Sequence, residues 1–393
     1  MNTLRLSLLA TALISATAAA ESPTLTNPAI SAVLDGFYQS GDRALGGREE
    51  GFGLGESELA ISANIDDLFY GKVTTVIEVH DGETEIELEE AFIQTLAMPA
   101  GFSIRAGRFL SDIGYLNNQH LHSDAFAGRP AAYRAFLGGH YFDDGLRISW
   151  VAPTDLYWTL GFEALKGDGM RAEDEHGERE FDTVGVYNVF TKIGGDIGDN
   201  SSWQLGLAMM NNRNGRLTPH EEGEEVHVDD EHDHGHSHSA AYTGEKTYVA
   251  DVVYKWAPNG NYKYQHLTLS GEFFRVNDFK ALELHDEDHA DEHDHSKNYH
   301  QGWYLSGVYQ LSPEWSAGLR YGELDTQLVH DDHFDAQKLK ETEFSLNWHS
   351  SHFSTVRLQY TRQKGTNFDG LSDDNLFTLQ YVMTLGAHGA HQF

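Results

Sequence analysis

The chain of 393 residues contains no cysteine, which excludes a disulfide scaffold, thiolate metal sites and a cysteine nucleophile. Proline is scarce, 8 residues against 39 glycines, a balance that favours a barrel of strands over a chain of small domains. Basic residues are also few: 27 lysines and arginines face 61 carboxylates, a formal charge of −34. Nucleic-acid binding is excluded as a default role, because a phosphate backbone needs a basic footprint. Cations are attracted instead. Nowhere does the chain reach 18 consecutive apolar residues, so no membrane-spanning helix is expected. Enzyme signatures are missing too: there is no P-loop lysine motif, no H-E-x-x-H, no G-x-S-x-G and no strand-to-helix glycine fingerprint. Residues 81–90, DGETEIELEE, place Ile86 where a calcium loop requires glycine. No enzymatic activity is expected.

What is present begins with MNTLRLSLLATALISATAAA, in which Arg5 precedes an apolar stretch ending in Ala18-Ala19-Ala20. This reads as a secretory signal peptide over residues 1–20, followed by a short lead at 21–29 and a single unit from 30 to 393. An exported chain without disulfides suits an outer-membrane barrel. The aromatic content of 12% and mean hydropathy of −0.48 fit strands that alternate between lipid and water.

The recurring pattern is a segment of about ten residues with strict apolar and polar alternation, bounded by turn residues. Tyr248, Ala250, Val252, Tyr254 and Trp256 share one face, as do Phe377, Leu379, Tyr381, Met383 and Leu385, whose phase continues to Phe393. The opposite faces carry Lys72, Glu78, His80, Arg105, Arg147, Arg320 and Arg357, which a wet lumen accommodates and a packed β-sandwich core does not. The fold class expected is therefore an all-β transmembrane antiparallel β-barrel of about 16 strands. Short connections at 66–70, 98–101, 152–155, 194–200, 257–261, 312–314 and 349–352 alternate with long ones at 41–51, 110–144, 166–181, 212–246, 278–299, 325–338 and 365–373. A tight turn at 81–84 is the exception among the long ones. Such alternation is the topology of an outer-membrane barrel, with short periplasmic turns and long outer loops.

Two of the long connections carry the most unusual chemistry. The loop 212–246 contains His220, His227, His232, His234, His236 and His238 among Asp229, Asp230, Glu231 and Asp233. The loop 278–299 contains His285, His289, His293 and His295 among similar acids. Imidazole nitrogen and carboxylate oxygen at this density suit a borderline divalent ion, zinc first. Alternating ligands in a loop do not preset a tetrahedral site, so binding is expected to be multivalent and fast to exchange. Below about pH 6 the imidazoles protonate and capture is expected to weaken. The other reading left open is a solvated acidic loop.

The segments LEEAFIQT (88–95) and IRAGRF (104–109), followed by a long loop, resemble the phosphate-selective porin O and P type of 16-stranded porin. Residues 109–154, with YLNNQHLHSDAFAGRPAAYRAFLGG and YFDDGLRISWVAPT, are similar to proteobacterial outer-membrane proteins labelled zinc-regulated receptors. The strand ending in Phe393 likewise resembles the assembly signal of outer-membrane proteins. This resemblance implies outer-membrane localisation, lipid as a partner, a homotrimer as one assembly, and an inserting constriction loop at 110–144. By the same token His120, His122 and Asp124 form an inner metal relay. Glu78, His80, Arg105, Arg129, Arg134, Arg147, Arg320 and Arg357 line the pore. Arg129 and Arg134 could instead tie the loop to the wall or select anions. Energised receptors have 22 strands and a plugged lumen, whereas here only residues 21–30 precede the first strand, so passive diffusion is expected. The implied function is a porin-like channel that concentrates zinc or a similar divalent ion, as transported ligand with no tightly bound cofactor. A general or anion porin, a TonB-linked zinc receptor and a surface-binding protein remain the alternatives.

Overall fold

The computed structural model describes residues 24–80, 83–172, 180–217, 238–280, 298–330, 333–366, 368 and 374–386. The expected signal peptide, Phe393, and the histidines at 220, 227, 232, 234, 236, 285, 289, 293 and 295 lie outside the described residues.

Seventeen strand segments follow in chain order: β1 (Ala29–Gln39), β2 (Gly51–Leu54), β3 (Ser57–Asn64), β4 (Phe69–His80), β5 (Glu83–Thr95), β6 (Phe102–Leu110), β7 (Phe142–Val151), β8 (Tyr157–Leu165), β9 (Val186–Ile197), β10 (Ser201–Asn212), β11 (Lys246–Trp256), β12 (His266–Asn277), β13 (Tyr299–Ser312), β14 (Trp315–His330), β15 (His333–Ser351), β16 (Ser354–Thr366) and β17 (Asp374–Gly386). From β3 onward each pairs antiparallel with the next in the chain, and β17 closes the ring on β1, from Ser31↔Gly386 to Gln39↔Thr378. Segments β2 and β3 both pair with β1 and are the halves of one barrel strand, so the closed sheet has 16 strands. Closure leaves no unpaired edge, the condition for strands to cross a bilayer.

The period-two pattern sorts side chains as the sequence implies. Leu205, Leu207, Leu305, Leu319, Phe344, Leu358 and Phe377 are exposed on the outside, Leu207 at 60%. Gln204, Asp251, Glu272, Glu343 and Gln359 are buried on the inside. An apolar belt around a polar interior is the inverse of a soluble sandwich. Among the described residues no helix is long and apolar enough to cross a membrane.

Short turns close one rim and longer connections the other. The start of β1 pairs with the end of β3 at the short-turn rim (Ala29↔Ser62), so both histidine-bearing connections leave from the opposite rim. Their bases touch: the Leu217 amide donates to the Phe279 carbonyl at 2.8 Å. One expectation is corrected here. Residues 325–338 are not a loop, because β14 and β15 continue pairing to His330↔His333. Leu324 and Leu339 are buried against the interior cluster, and Thr326 donates to Gln337 at 3.2 Å, which carries the ladder beyond the expected rim.

Between β6 and β7, residues 111–141 fold into the barrel rather than over it. They form short turns at Leu116–Asn118 and Leu121–Ser123 and one helix, α1 (Ala131–Leu137), all of whose residues are buried. Ile113, Tyr133, Phe136 and Leu137 meet Phe109, Phe274, Tyr304 and Leu324 in one apolar cluster inside the lumen. The segment is held by charge as well. The Glu272 carboxylate accepts from the Tyr115 and Leu116 amides and from the hydroxyls of Tyr133 and Tyr304, while Arg134 reaches Glu341 at 2.8 Å. Helix α1 ends at Gly138, with φ 60°; a Cβ there would lie 2.3 Å from the His238 carbonyl oxygen. Only glycine lets the 238–246 segment pack so closely on the helix.

Candidate functional site

The inner wall near β2–β5 is where the acids gather, and two bulges put them there. Opposite Leu34 and Asp35 of β1 stand three residues, Gly55, Glu56 and Ser57, because Gly36 pairs with Leu54 and Val33 with Glu58. A Cβ on Gly55 would come within 2.3 Å of the Asp35 carboxylate, so the strand can break only at a glycine. On β5, Glu90 pairs with Thr74 but Leu88 with Thr75, which leaves Glu89 as an extra residue. A bulge re-aims side chains that strict alternation would send outward. As a result Glu56, Glu58, Glu89 and Glu90 are all buried inside.

Facing these carboxylates are histidines from two connections. The 121–123 turn sets His120 and His122 with rings stacked at 5.6 Å. His120 Nδ1 lies 3.1 Å from Glu89 Oε2 and 3.4 Å from Glu58 Oε2; its Nε2 lies 3.4 Å from Glu90 Oε2 and 3.2 Å from Lys72 Nζ. His122 Nδ1 is 2.7 Å from Glu58 Oε1. His140, at the end of the inserted segment, points Nε2 at Glu89 Oε1 (3.2 Å) and Nδ1 at Glu56 Oε1 (3.9 Å). His238 packs on His140 with ring centroids 4.6 Å apart, and its Nε2 is 3.3 Å from Glu87 and 3.9 Å from Glu78. Two groups of candidate metal ligands emerge, Glu56–His140–His238 and Glu58–Glu89–His120, each with ligand atoms within 4.8 Å of one another.

Short as these distances are, several atoms miss hydrogen-bond geometry. Glu56 Oε2, Glu89 Oε2, His120 Nδ1 and both ring nitrogens of His140 are buried with no hydrogen-bond partner among the described residues. His140 and Glu89 are each 1% exposed. Leaving such groups unsatisfied costs about 1–3 kcal/mol each, so the cluster is poised for a ligand that accepts lone pairs. Burial pulls the pKa of His120 down, but the Glu89 and Glu58 carboxylates outweigh it and hold the pKa well above the ordinary histidine value. Burial acts the same way on His140, where Glu56 and Glu89 prevail and raise it.

The residues singled out from sequence divide clearly. His120, His122 and Glu78 belong to this wall. So does His238, which turns inward instead of staying with the outer run. Asp124 does not: it pairs with Arg129 at 3.0 Å, and its carbonyl accepts from Arg357. His120 and His122 thus face glutamates, and Asp124 stands apart from them with Arg129. Arg147, Arg320 and Arg357 point inward but are buried. Arg147 pairs with Glu163 at 2.5 Å, Arg320 holds Glu343 and the Gly128 carbonyl, and Arg357 holds Asn347 at 2.8 Å. Arg129 and Arg134 are consumed in the same way. Arg134, Arg320 and Arg357 tie the inserted segment to the wall, Arg129 bonds within that segment and Arg147 within the wall, so they do not present a free anion-selecting stripe. Arg105 lies lower, bonded to Gln94 at 2.9 Å and stacked on Phe92. The His80 backbone ends β4 at the rim.

A cavity of about 460 Å³ at the long-connection end is lined by Gln39, Arg43, Arg48, Glu56, Glu78 and His238. It brings solvent from that rim to the acidic wall.

No family model matches the chain. A protein of Aquifex aeolicus described only as uncharacterized is 27% identical over 361 residues, covering 88% of this chain and 71% of that protein. Among solved structures, OmpT of Vibrio cholerae in its trimer form has a TM-score of 0.53 at 8% identity, covering 93% of this chain and 100% of that one. The outer membrane channel DcaP of Acinetobacter baumannii has a TM-score of 0.53 at 13% identity, with 91% and 96% covered. OprB of Pseudomonas putida gives 0.54 at 11% identity, with 91% and 94% covered. At these identities the similarity establishes the barrel fold.

Proposed function

We propose that the chain is a passive porin-type channel of the bacterial outer membrane that admits divalent cations, zinc foremost, and that it belongs with the zinc-regulated group its sequence resembles. One observation carries this reading: Glu56, Glu58, Glu89 and Glu90 converge with His120, His122, His140 and His238 on a single lumenal wall, where buried polar atoms of Glu56, Glu89, His120 and His140 are left without a hydrogen-bond partner among the described residues. A general or anion porin has no use for such a wall. The arginines that might oppose it are paired with acids or held by polar groups of the inserted segment.

Carboxylates supply long-range attraction, and neutral imidazoles favour zinc over calcium and magnesium. The histidine runs at 220–236 and 285–295, whose loop bases are joined at Leu217 and Phe279, raise the local ion concentration at the outer rim. The rim cavity passes the ion to Glu56 and His238. A trimer, as in the trimer form of OmpT of Vibrio cholerae, would set three such channels side by side.

The test is zinc entry into proteoliposomes loaded with a zinc-sensitive dye. Intact protein is compared with a full-length variant in which the nine histidines at 220–236 and 285–295 are alanine. Intact protein should admit zinc, and the variant should be slower at low external zinc. Equal rates would remove the capture role; no entry with intact protein would remove the function.

A further inference from the structure

The two ligand groups on the wall are not independent, because Glu89 faces both. Its Oε2 stands 3.1 Å from His120 Nδ1 and its Oε1 3.2 Å from His140 Nε2. Building on the divalent-cation reading above, we infer that the lumen holds a coupled pair of zinc-type ions, one on Glu58, Glu89 and His120 and the other on Glu56, His140 and His238.

The spacing fits. Zinc bonds of about 2.0–2.2 Å in a tetrahedron set ligand atoms about 3.3–3.6 Å apart. His120 Nδ1 lies 3.1 and 3.4 Å from its two carboxylate oxygens, so these two pairs of the lower group stand close to that separation, and all its ligand atoms lie within 4.8 Å of one another. In the upper group, whose ligand atoms also lie within 4.8 Å of one another, His140 Nδ1 is 3.9 Å from Glu56 Oε1, and that pair needs to close by about half an ångström.

The surroundings fit as well. A metal-bound histidine donates its other ring N–H to a carboxylate or carbonyl, which fixes the tautomer and makes the ligand more basic. Here His140 Nε2 stands 3.2 Å from Glu89 Oε1, so a small rotation that aligns its N–H leaves Nδ1 for the upper ion; His120 Nε2 stands between Glu90 Oε2 at 3.4 Å and the Lys72 ammonium at 3.2 Å, so Nδ1 is left for the lower ion with Lys72 turned onto Glu90. His122 Nδ1 holds the second oxygen of Glu58 at 2.7 Å, which orients that carboxylate toward the lower ion. Glu87 and Glu78 beside His238 add negative charge around the upper ion. Each ion then has three protein ligands and an open position for water, the arrangement of exchangeable rather than structural zinc. Two neighbouring ions repel, and an ion entering from the rim helps the lower one leave. Binding tight enough to select and weak enough to release is what conduction requires. Glu89 couples the pair, as ligand to one ion and orienting acceptor for the ligand of the other.

Without metal, a network of protonated histidines and glutamates balances the same charges, but it leaves His120 Nδ1 and both His140 nitrogens without an aligned acceptor, a deficit that bound ions remove at His120 Nδ1 and His140 Nδ1.

The experiment counts ions in full-length detergent-solubilised protein whose histidines at 220, 227, 232, 234, 236, 285, 289, 293 and 295 are serine. Zinc chloride is titrated by calorimetry, and cobalt chloride by the visible absorption of the bound ion. Two equivalents per chain are expected. His140→Ala and Glu58→Gln should each leave one. Glu89→Gln should weaken both, the upper ion by about 10–100-fold, the usual effect of losing an orienting partner. One equivalent or none in the parent protein would overturn the inference, as would two equivalents retained in His140→Ala. Folding is checked by heat-modifiable gel migration, and the count in the parent protein decides the matter even where a variant does not fold. Two bound ions without zinc entry into proteoliposomes would sink the proposed transport and spare this inference; zinc entry with no bound ion would do the reverse.

Discussion

Replacing Glu272 with alanine should release the inserted segment while leaving the barrel standing. The buried carboxylate accepts from four donors: the Tyr115 amide at 2.8 Å, the Leu116 amide at 3.1 Å, the Tyr133 hydroxyl at 2.9 and 3.0 Å, and the Tyr304 hydroxyl at 2.6 Å. Three of these belong to residues 111–141, and only Tyr304 is part of the wall. A hydrogen bond to a charged group contributes about 1.5–3 kcal/mol, and neighbours in one network do not add fully. Losing three segment anchors should therefore cost the docked state about 3–6 kcal/mol. At about 1.4 kcal/mol per tenfold, opening of the segment becomes roughly 10²–10⁴ times more frequent. Amide hydrogen exchange followed by mass spectrometry reads this directly. Peptides from 111–141 should exchange faster by two to four powers of ten, with strands β10–β16 unchanged. Glutamine at 272 keeps one acceptor oxygen and should fall between alanine and the wild type. Exchange in 111–141 within tenfold of wild type would refute the reasoning, since it would mean that the apolar cluster around Phe136 and Phe274 holds the segment without Glu272.

Other outcomes follow from the same wall. Removing Lys72, which pairs with Glu90 and sits 3.2 Å from His120 Nε2, makes the lumen more negative, so Lys72→Met should raise the cation-to-anion permeability ratio in planar bilayers. Arg320 and Glu343 are both 2% exposed and paired at 2.5 Å; Arg320→Met should cost about 3–5 kcal/mol in urea unfolding, as when one partner of a buried pair is removed, and adding Glu343→Met should recover much of it. Inner-site zinc affinity should keep rising above about pH 6.5, the ordinary histidine value, because bound zinc displaces protons that His120 and His140 hold too tightly. The groups facing them are Glu58, Glu89, Glu90, Lys72 and His122 on one side and Glu56, Glu89 and His238 on the other. The sign for stability without metal is opposite. A raised folded-state pKa contributes stability that is fully present below about pH 6.5 and is lost as pH rises through the raised values. Thermal melts with and without zinc between pH 6 and 9 should therefore diverge with rising pH; parallel curves would contradict this.

The barrel was legible because hydrocarbon enforces a period of two: Leu205, Leu207, Leu305 and Leu319 could face nowhere else. The inserted segment was legible from the length of 110–144 and from its mixed charges. The core of the site was not. Strict alternation sends only one of Glu89 and Glu90 inward, and a bulge turns both in. A signal was available, since neither acid of an adjacent pair belongs in hydrocarbon, so LEEA inside a barrel strand points to a bulge. Glu56 was hidden by the same kind of irregularity at Gly55. His238 was read with the outer run because nothing local distinguishes it; its inward turn depends on Gly138, a hundred residues away in the chain. Arg147 and Arg320 lie directly opposite Glu163 and Glu343 on neighbouring strands, and Arg134 reaches Glu341 from the inserted helix; spacing along one strand reveals neither register nor the docking of the segment.

The measurement that bears most directly on the central claim is the reversal potential of the purified channel in a planar bilayer under a gradient of zinc chloride. A water-filled lumen with a glutamate and histidine wall should give discrete conductance steps and a potential of the sign set by zinc moving faster than chloride, shifting toward chloride in Glu89→Gln. Steps with chloride preference, or no steps at all, would contradict it.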